Sequence, residues 1–270
     1  MAFGVFVNVY EKPTKPTKAV QRRSAKKRKG NIMKKYELLK DDTIRCCGKT
    51  LYRIRYLREF ADIKIGDLGG YIEQETNLSH DGNARVYGNA QVYGNARVFG
   101  GALVSGNAQV YGNARVFGGA LVYGNAWVSG DARVYGNARV CDNAEVCGDA
   151  RVCGDARVYG NALVWDNAWV CDNAEVCGDA RVSGNARVYG DSVCEALSPL
   201  NIIGLRWSIT LTDNNIHIGC RTFTFEKALA LASRWKTTTL EYEEAKTIED
   251  EKKLIVEAIK LRLKQLEKKV

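Results

Sequence analysis

Residues 84–113 read ARVYGNAQVYGNARVFGGALVSGNAQVYGN, and this six-residue pattern continues without insertion for eighteen repeats. Alanine recurs every six residues from Ala84, and valine follows two positions later in each repeat. Within one repeat, Ala84 and Val86 share one face of an extended segment, while Arg85 and Tyr87 share the other. Each repeat is therefore predicted to be one short β-strand with a small apolar inner face.

The two residues after each strand are types that form tight corners. Pairs such as Gly88-Asn89 and Asp142-Asn143 accept a positive φ at little steric cost. A strand with one alanine and one valine inside cannot bury its apolar face alone, so successive turns must stack and share a core. The repeats therefore predict a solenoid, with alanine at the corners and valine on the flat walls.

The run VYGNAR at residues 92–97 resembles the hexapeptide-repeat family. In that family an aliphatic residue, with a small residue four positions later, winds three strands per coil into a left-handed triangular prism. The resemblance covers residues 84–194. It implies an all-β solenoid over residues 83–195, a left-handed parallel β-helix in which eighteen repeats make about six coils.

Both flanks are predicted to cover the ends of this solenoid, where unpaired strand edges would invite polymerisation. Residues 33–82 are expected to form an N-terminal β cap of two β segments joined by a turn near Gly48. Residues 196–239 are expected to hold a hairpin with an Asp-Asn-Asn turn, at residues 207–219, and a short helix at residues 224–235.

Residues 240–270 are predicted to form an amphipathic C-terminal helix, since Ile248, Ile255, Ile259 and Leu266 stand at helical spacing. Its eight acidic and eight basic residues cancel. Two interpretations are open: the helix packs on its own domain, or it joins subunits into a trimer.

Four motifs together resemble a family of phage and prophage proteins with hexapeptide repeats. They are KYELL at residues 35–39, DLGGYIE at residues 67–73, the GNARVYGNA repeats, and IHIGC at residues 216–220. Members of that family are called polymer-forming or acetyltransferase-like. The resemblance implies a protein that acts in the host cytoplasm.

The net charge of +9 is concentrated in residues 1–32, where nine Lys/Arg stand against one glutamate and give +8. This segment is predicted to be a basic flexible arm that is drawn to polyanions. The candidate polyanion-binding residues are Arg22, Arg23, Lys26, Lys27, Arg28 and Lys29. Alternatively the arm is an upstream extension with little function, because Met33 opens the pattern that follows.

The chain has no stretch of eighteen apolar residues and no signal-peptide cleavage pattern, which predicts a soluble cytoplasmic protein without a membrane partner. Its nine cysteines are expected to be reduced thiols. Their spacing fits no metal motif, so neither a structural zinc ion nor a cofactor is predicted. Cys153 and Cys171 would stack one coil apart, a spacing compatible with a disulfide that this compartment does not require.

Hexapeptide-repeat proteins are often acyltransferases, and the resemblance implies a histidine base on a loop that interrupts the coils. The two histidines, His80 and His217, stand before the first repeat and after the last. A related zinc-dependent class needs three histidines across a subunit interface, which two cannot supply within one repeat. We therefore predict no catalysis. The alternative is a CoA-dependent acyltransferase with His217 as its base, and the opposing interpretation is that His217 is a hydrogen-bonded hairpin residue.

Outward residues eighteen positions apart should stack vertically. One face then presents a column of arginines with one tryptophan: Arg97, Arg115, Arg133, Arg151, Trp169 and Arg187. Beside it stands a column of aromatic residues and cysteines: Phe99, Phe117, Tyr135, Cys153, Cys171 and Tyr189. The other two faces are mixed in charge and polarity.

An arginine column flanked by aromatic rings provides the charge neutralisation and stacking that phosphates and bases require. The candidate ligand-binding residues are therefore Arg97, Arg115, Arg133, Arg151, Arg187, Phe99, Phe117, Tyr135, Trp169 and Tyr189. Two alternatives are open. The arginines could simply keep this face of the solenoid hydrated and the protein soluble. The aromatic rings could cover one another or line a subunit interface.

The sequence as a whole predicts a non-catalytic β-helix binding scaffold of phage type that forms a homo-oligomer, either a trimer or a dimer. We expect it to counter a host defence by capturing a defence protein or a nucleotide-type ligand on the arginine face or at a subunit junction. Nucleic acid is a candidate ligand of the arm. A structural filament former is a further interpretation, which the capped ends disfavour.

Overall fold

The computed structural model describes residues 34–195, 198–202, 209–218, 221–234 and 242–268. The basic arm lies outside these residues, so its binding role stays a prediction.

The described part of the chain begins with an antiparallel sheet of three strands, β1 (Tyr36–Cys46), β2 (Lys49–Tyr56) and β3 (Leu68–Ile72). This sheet covers the open end of the solenoid. The Nζ of Lys35 donates to the carbonyl of Ala84 at 2.6 Å. Polar groups of the cap thereby satisfy strand-edge carbonyls that would otherwise have no partner.

Each repeat forms a strand of two residues, and the strands pair in parallel as three walls. The mixed wall contains β4 (Arg85–Val86), β7 (Leu103–Val104), β10 (Leu121–Val122), β13 (Arg139–Val140), β16 (Arg157–Val158), β19 (Glu175–Val176) and β22 (Val193–Cys194). The cap wall continues the sheet of β3 with β5 (Gln91–Val92), β8 (Gln109–Val110), β11 (Trp127–Val128), β14 (Glu145–Val146), β17 (Leu163–Val164) and β20 (Arg181–Val182). The arginine wall contains β6 (Arg97–Val98), β9 (Arg115–Val116), β12 (Arg133–Val134), β15 (Arg151–Val152), β18 (Trp169–Val170) and β21 (Arg187–Val188).

The core is a continuous column of the repeat alanines and valines, none of which is more than 2% exposed. The corners turn at left-handed residues such as Gly118, with φ +72°. A Cβ added to Gly118 would approach the backbone of Gly136, one coil away, to 3.0 Å. Small residues at the corners therefore allow the coils to stack at strand spacing.

The predicted all-β solenoid is confirmed, with eighteen residues per coil, and the eighteen repeats make the expected six coils. Strand β3 and a bridge from Leu78 to Val98 begin an additional coil, which makes about seven. This first coil lacks the repeat pattern. In this coil the inward residues Leu78 and Val86 are eight positions apart, whereas successive inward valines of the repeats are six apart. The first coil therefore contains two extra residues.

The C-terminal end carries a four-stranded antiparallel sheet and two helices, where the sequence predicted a hairpin and helices. The elements are β23 (Leu200–Ile202), β24 (Ile209–Leu211), β25 (Asn215–Ile218), β26 (Arg221–Thr224), α1 (Phe225–Arg234) and α2 (Tyr242–Glu267). Ile255 and Ile259 of α2 pack with Ile209 and Ile216 of the sheet. Neither helix in the described part of the chain is long and apolar enough to cross a membrane.

Candidate functional site

The arginine wall places its outward residues in one vertical column. Arg97 pairs with Arg115, Arg115 with Arg133, and Arg133 with Arg151 in the strand register. Trp169 follows between Arg151 and Arg187. The six residues that the sequence assigned to one face therefore lie together on it.

The second column of this wall divides into three parts. Phe99, Phe117 and Tyr135 form a parallel stack, with ring centroids 4.8 Å and 5.0 Å apart. Tyr189 instead meets His217 of the C-terminal sheet edge to face, at 5.8 Å. The stack and the lone ring are separated by two cysteines.

Cys153 and Cys171 form a disulfide between successive coils of the arginine wall. The expectation that all cysteines are reduced is wrong for this pair. Vertical neighbours in a parallel ladder have close Cα atoms, here 4.6 Å apart, which lies within the range that a disulfide spans.

The arginines differ along the column in what surrounds them. The guanidinium groups of Arg151 and Arg187 lie over the two sides of Trp169, 4.6 Å and 5.5 Å from the ring centroid. We call these three residues, with the disulfide and Tyr189, the closed half of the wall. The guanidinium groups of Arg151 and Arg187 therefore already have an aromatic partner.

Arg97, Arg115 and Arg133, with the rings of Phe99, Phe117 and Tyr135, form the open half. All three arginines are exposed. Among the described residues, none of the three has an ion pair or an aromatic partner for its guanidinium group. The open half therefore presents three positive charges, one coil apart, that are available to an anion.

A cavity of about 400 Å³ lies where the open half meets the N-terminal cap. Its lining consists of Glu75, Thr76, Leu78, Ser79, His80, Arg97, Val98, Phe99 and Arg115. Three of the predicted ligand-binding residues are thus brought together with residues of the first coil, which sequence reasoning did not select.

The cap side of the cavity is held in place by buried hydrogen bonds. A 3-10 turn, Glu75–Asn77, precedes Leu78. The buried amide of Asn77 donates to the carbonyls of Gly94 and Ala96 at 3.0 Å and 2.9 Å. The hydroxyl of Tyr36 donates to the carbonyl of Leu78 at 2.7 Å. These contacts fix the position of the first coil next to the arginines.

Glu75 gives the cap side a negative charge. Its carboxylate accepts from the Nζ of Lys34 at 2.7 Å, and this hydrogen bond and ion pair lower the pKa of Glu75. The cavity therefore has guanidinium groups on one side and an ionised carboxylate on the other.

His80 is positioned as a donor toward the cavity. Its Nδ1 accepts the backbone N–H of Lys35 at 3.1 Å, so the proton of the neutral ring is on Nε2. That nitrogen is buried and lies 3.8 Å from Glu75 Oε2, and it has no hydrogen-bond partner among the residues that the structure describes. Burial lowers the pKa of His80, which keeps the ring neutral near pH 7. The ring also stacks on Tyr36, with centroids 4.4 Å apart.

His217, the candidate base of the enzymatic alternative, is only 2% exposed. Its Nε2 is 3.0 Å from the hydroxyl of Ser192, and its Nδ1 is 2.9 Å from that of Thr222. Burial lowers the pKa of His217 to about 4. This geometry is that of a hydrogen-bonded structural residue between the last coil and the C-terminal sheet.

The sequence-predicted residues thus fall into three groups: Arg97, Arg115 and Phe99 line the cavity, Arg133, Phe117 and Tyr135 continue the open half, and Arg151, Trp169, Arg187 and Tyr189 are engaged elsewhere. Glu75 and His80 were missed. The available signal was the longer spacing from Leu78 to Val86, which marks an irregular coil.

Within the described residues, no cluster of three or more His, Cys, Asp or Glu side chains could hold a metal ion.

The fold and the repeat define this chain as a parallel β-solenoid repeat protein. Its repeats are similar to the YdcK beta-solenoid repeat family, which matches residues 90–106, 108–124, 126–142, 132–148, 150–164, 156–172 and 180–194. No curated protein matches the chain.

Among solved structures, the acetyltransferase domain of PglB from Neisseria gonorrhoeae FA1090 is similar to this chain, with a TM-score of 0.34 and 15% sequence identity. The similarity covers 47% of this chain and 54% of that one, so the chain spans about half the length of this relative. A likeness at this level assigns no activity to the chain.

Proposed function

We propose that this protein is a binding scaffold whose open half and adjoining cavity capture an anionic ligand with a planar ring, of the nucleotide type. The observation that carries the proposal is the convergence of Arg97, Arg115 and Phe99 on one cavity. Charge and a stacking surface are thereby available at the same place, as nucleotide binding requires.

The anionic part of the ligand is assigned to the arginines. Successive coils are about 4.8 Å apart, so Arg97 and Arg115 present two planar guanidinium groups at a separation that one or two phosphates can span. Bidentate hydrogen bonds to phosphate oxygens are charge-assisted and therefore strong.

The planar ring is assigned to the end of the aromatic stack. Phe117 covers one side of Phe99, and the residues of the cavity lie on the side toward the cap. A further ring in the cavity would extend the stack. Glu75 could then accept hydrogen bonds from an amino group at the ring edge, and the Nε2–H of His80 could donate to a ring nitrogen or carbonyl.

The resemblance to phage proteins with hexapeptide repeats suggests a use for such a site. Sequestering a nucleotide-type ligand would counter a host defence that depends on it, and would require no catalysis. A defence protein bound on the same wall is the alternative occupant. A homo-oligomer would present several copies of the cavity and raise the apparent affinity for a multivalent partner.

Calorimetric titration with adenosine, AMP, ATP, a cyclic dinucleotide and inorganic phosphate tests the proposal. We expect AMP or a larger nucleotide to bind more tightly than adenosine or phosphate alone, because both halves of the ligand contribute. Arg97→Gln with Arg115→Gln should weaken binding. Arg139→Gln, an exposed arginine of the mixed wall, should not. No binding of any nucleotide at high micromolar concentration would refute the nucleotide assignment.

A CoA-dependent acyltransferase is the second candidate, because His80 lies in the irregular first coil and borders the cavity. CoA also carries an adenine and phosphates that the same residues would bind. Turnover of acyl-CoA that is lost in His80→Ala and kept in His217→Ala would support it. Binding of CoA without turnover would leave the scaffold function in place.

A further inference from the structure

The turn between β1 and β2 places two cysteines side by side at the surface of the cap. Cys46 pairs with Lys49, and Cys47 and Gly48 form the two-residue turn between them, with φ of +51° and +76°. Positive φ at both positions is the backbone of the tight hairpin turn that matches strand twist.

This backbone determines where the two thiols point. Side chains of adjacent residues in an extended strand point to opposite faces. The left-handed conformation of Cys47 departs from that alternation, and the sulfurs of Cys46 and Cys47 lie 3.6 Å apart. Two sulfur ligands therefore converge without rearrangement of the chain.

The pair of cysteines is accessible to solvent on one side and packs against buried residues of the cap on the other. Cys47 is exposed and Cys46 is half-buried. Cys46 packs against a cluster of Leu51, Tyr71 and Tyr93, and the hydroxyl of Tyr93 lies 4.0 Å from the sulfur of Cys47. Neither cysteine lines the cavity of the arginine wall, and the proposed function makes no use of them.

We infer that Cys46 and Cys47 form a chelating dithiol site for a thiophilic ligand, specifically a monosubstituted trivalent arsenical. Soft thiolate sulfur selects soft centres, and two sulfurs held on one turn bind such a centre with little further loss of conformational freedom. The site is independent of the nucleotide proposal.

The binding step conserves atoms and electrons. Each thiol sulfur forms one bond to arsenic, and the arsenic–oxygen bond of the arsenical breaks. The two thiol protons leave with that oxygen as one water molecule. Arsenic and both sulfurs keep their oxidation states, so no oxidant or reductant is needed.

Titration of the full chain with phenylarsine oxide, followed by intact-mass measurement, tests the site. One equivalent should give one adduct per chain. Cys46→Ser and Cys47→Gly should each reduce the adduct at least tenfold. The glycine variant suits the positive φ of the turn, so its effect reports on the lost sulfur and not on misfolding.

Other cysteines supply the matched controls. Cys147→Ser, Cys220→Ser and Cys153→Ser should keep the full adduct. The adduct should be reversed by the dithiol 2,3-dimercaptopropanol and resist an equal concentration of 2-mercaptoethanol, because only a chelate resists a monothiol. An adduct that survives in both Cys46→Ser and Cys47→Gly, or that the monothiol removes, overturns the proposal.

Discussion

The two halves of the arginine wall share a repeat and a register, yet they present different chemistry. In the open half the guanidinium of Arg115 stands between two other arginines. In the closed half those of Arg151 and Arg187 lie on either side of Trp169. A single tryptophan thus separates arginines that are available to an anion from arginines that are already engaged. In a solenoid, the neighbour one coil away decides what a residue can bind.

The largest expected effect is a loss of stability in acid at the end of the closed half, where Tyr189 contacts His217. Burial lowers the pKa of His217 to about 4 in the folded protein, against 6.5 for a histidine in the unfolded chain. Between these two pH values the unfolded chain binds a proton that the folded chain does not. Stability should therefore fall as the pH drops from about 6.5 to 4, by up to ~3 kcal/mol.

Thermal melts across this pH range, together with hydrogen exchange, measure the effect. His217→Gln cannot bind that proton, so its melting temperature should depend less on pH. The amides of the closed half should lose protection in acid before those of the open half. A variant with the same pH dependence as the parent chain would contradict this assignment.

Replacing arginines by glutamates in each half tests directly which half binds the nucleotide. Arg97→Glu with Arg115→Glu should weaken nucleotide binding by about 100-fold, since two charge-assisted contacts become repulsive. Arg151→Glu with Arg187→Glu makes the same change in net charge within the closed half. It should alter affinity by less than about threefold at 0.15 M salt, where long-range charge effects are screened. Equal losses in both double variants, measured by calorimetry, would show that the wall acts only through its overall charge.

Removal of one ring from each half is expected to have a smaller effect. Phe99→Ala should weaken nucleotide binding about tenfold, because base stacking on an aromatic side chain contributes ~1–3 kcal/mol. Inorganic phosphate should bind the variant as it binds the parent chain. Tyr189→Ala in the closed half is the matched control and should leave nucleotide affinity unchanged. An unchanged affinity in Phe99→Ala would place the planar ring elsewhere.

The repeats made most of the fold predictable, and the flanks did not. Strict spacing of alanine and valine determines which residues face inward, so the vertical order from Arg97 to Arg187 followed from the sequence. The additional first coil could not be predicted in the same way, because Ile72 and Leu78 occupy valine positions without the repeat around them. Glu75 and His80 were missed for this reason. Their role depends on the cap sheet, whose placement on the first coil is a tertiary contact between segments distant in sequence.

The last prediction asks whether the closed half can be opened. Trp169→Ala removes the ring that lies between Arg151 and Arg187, at a cost in stability of ~0.5–1 kcal/mol for each lost cation–π contact. The two guanidinium groups would then face solvent like those of the open half. We expect a second, weaker site for ATP that weakens further with salt, while the first keeps its affinity, because the cavity residues are untouched. Trp127→Ala, on the cap wall, is the control and should add no site. If Trp169→Ala binds a single nucleotide with the parent affinity, free arginines are insufficient, and the cavity beside Phe99 is what makes the open half a binding site.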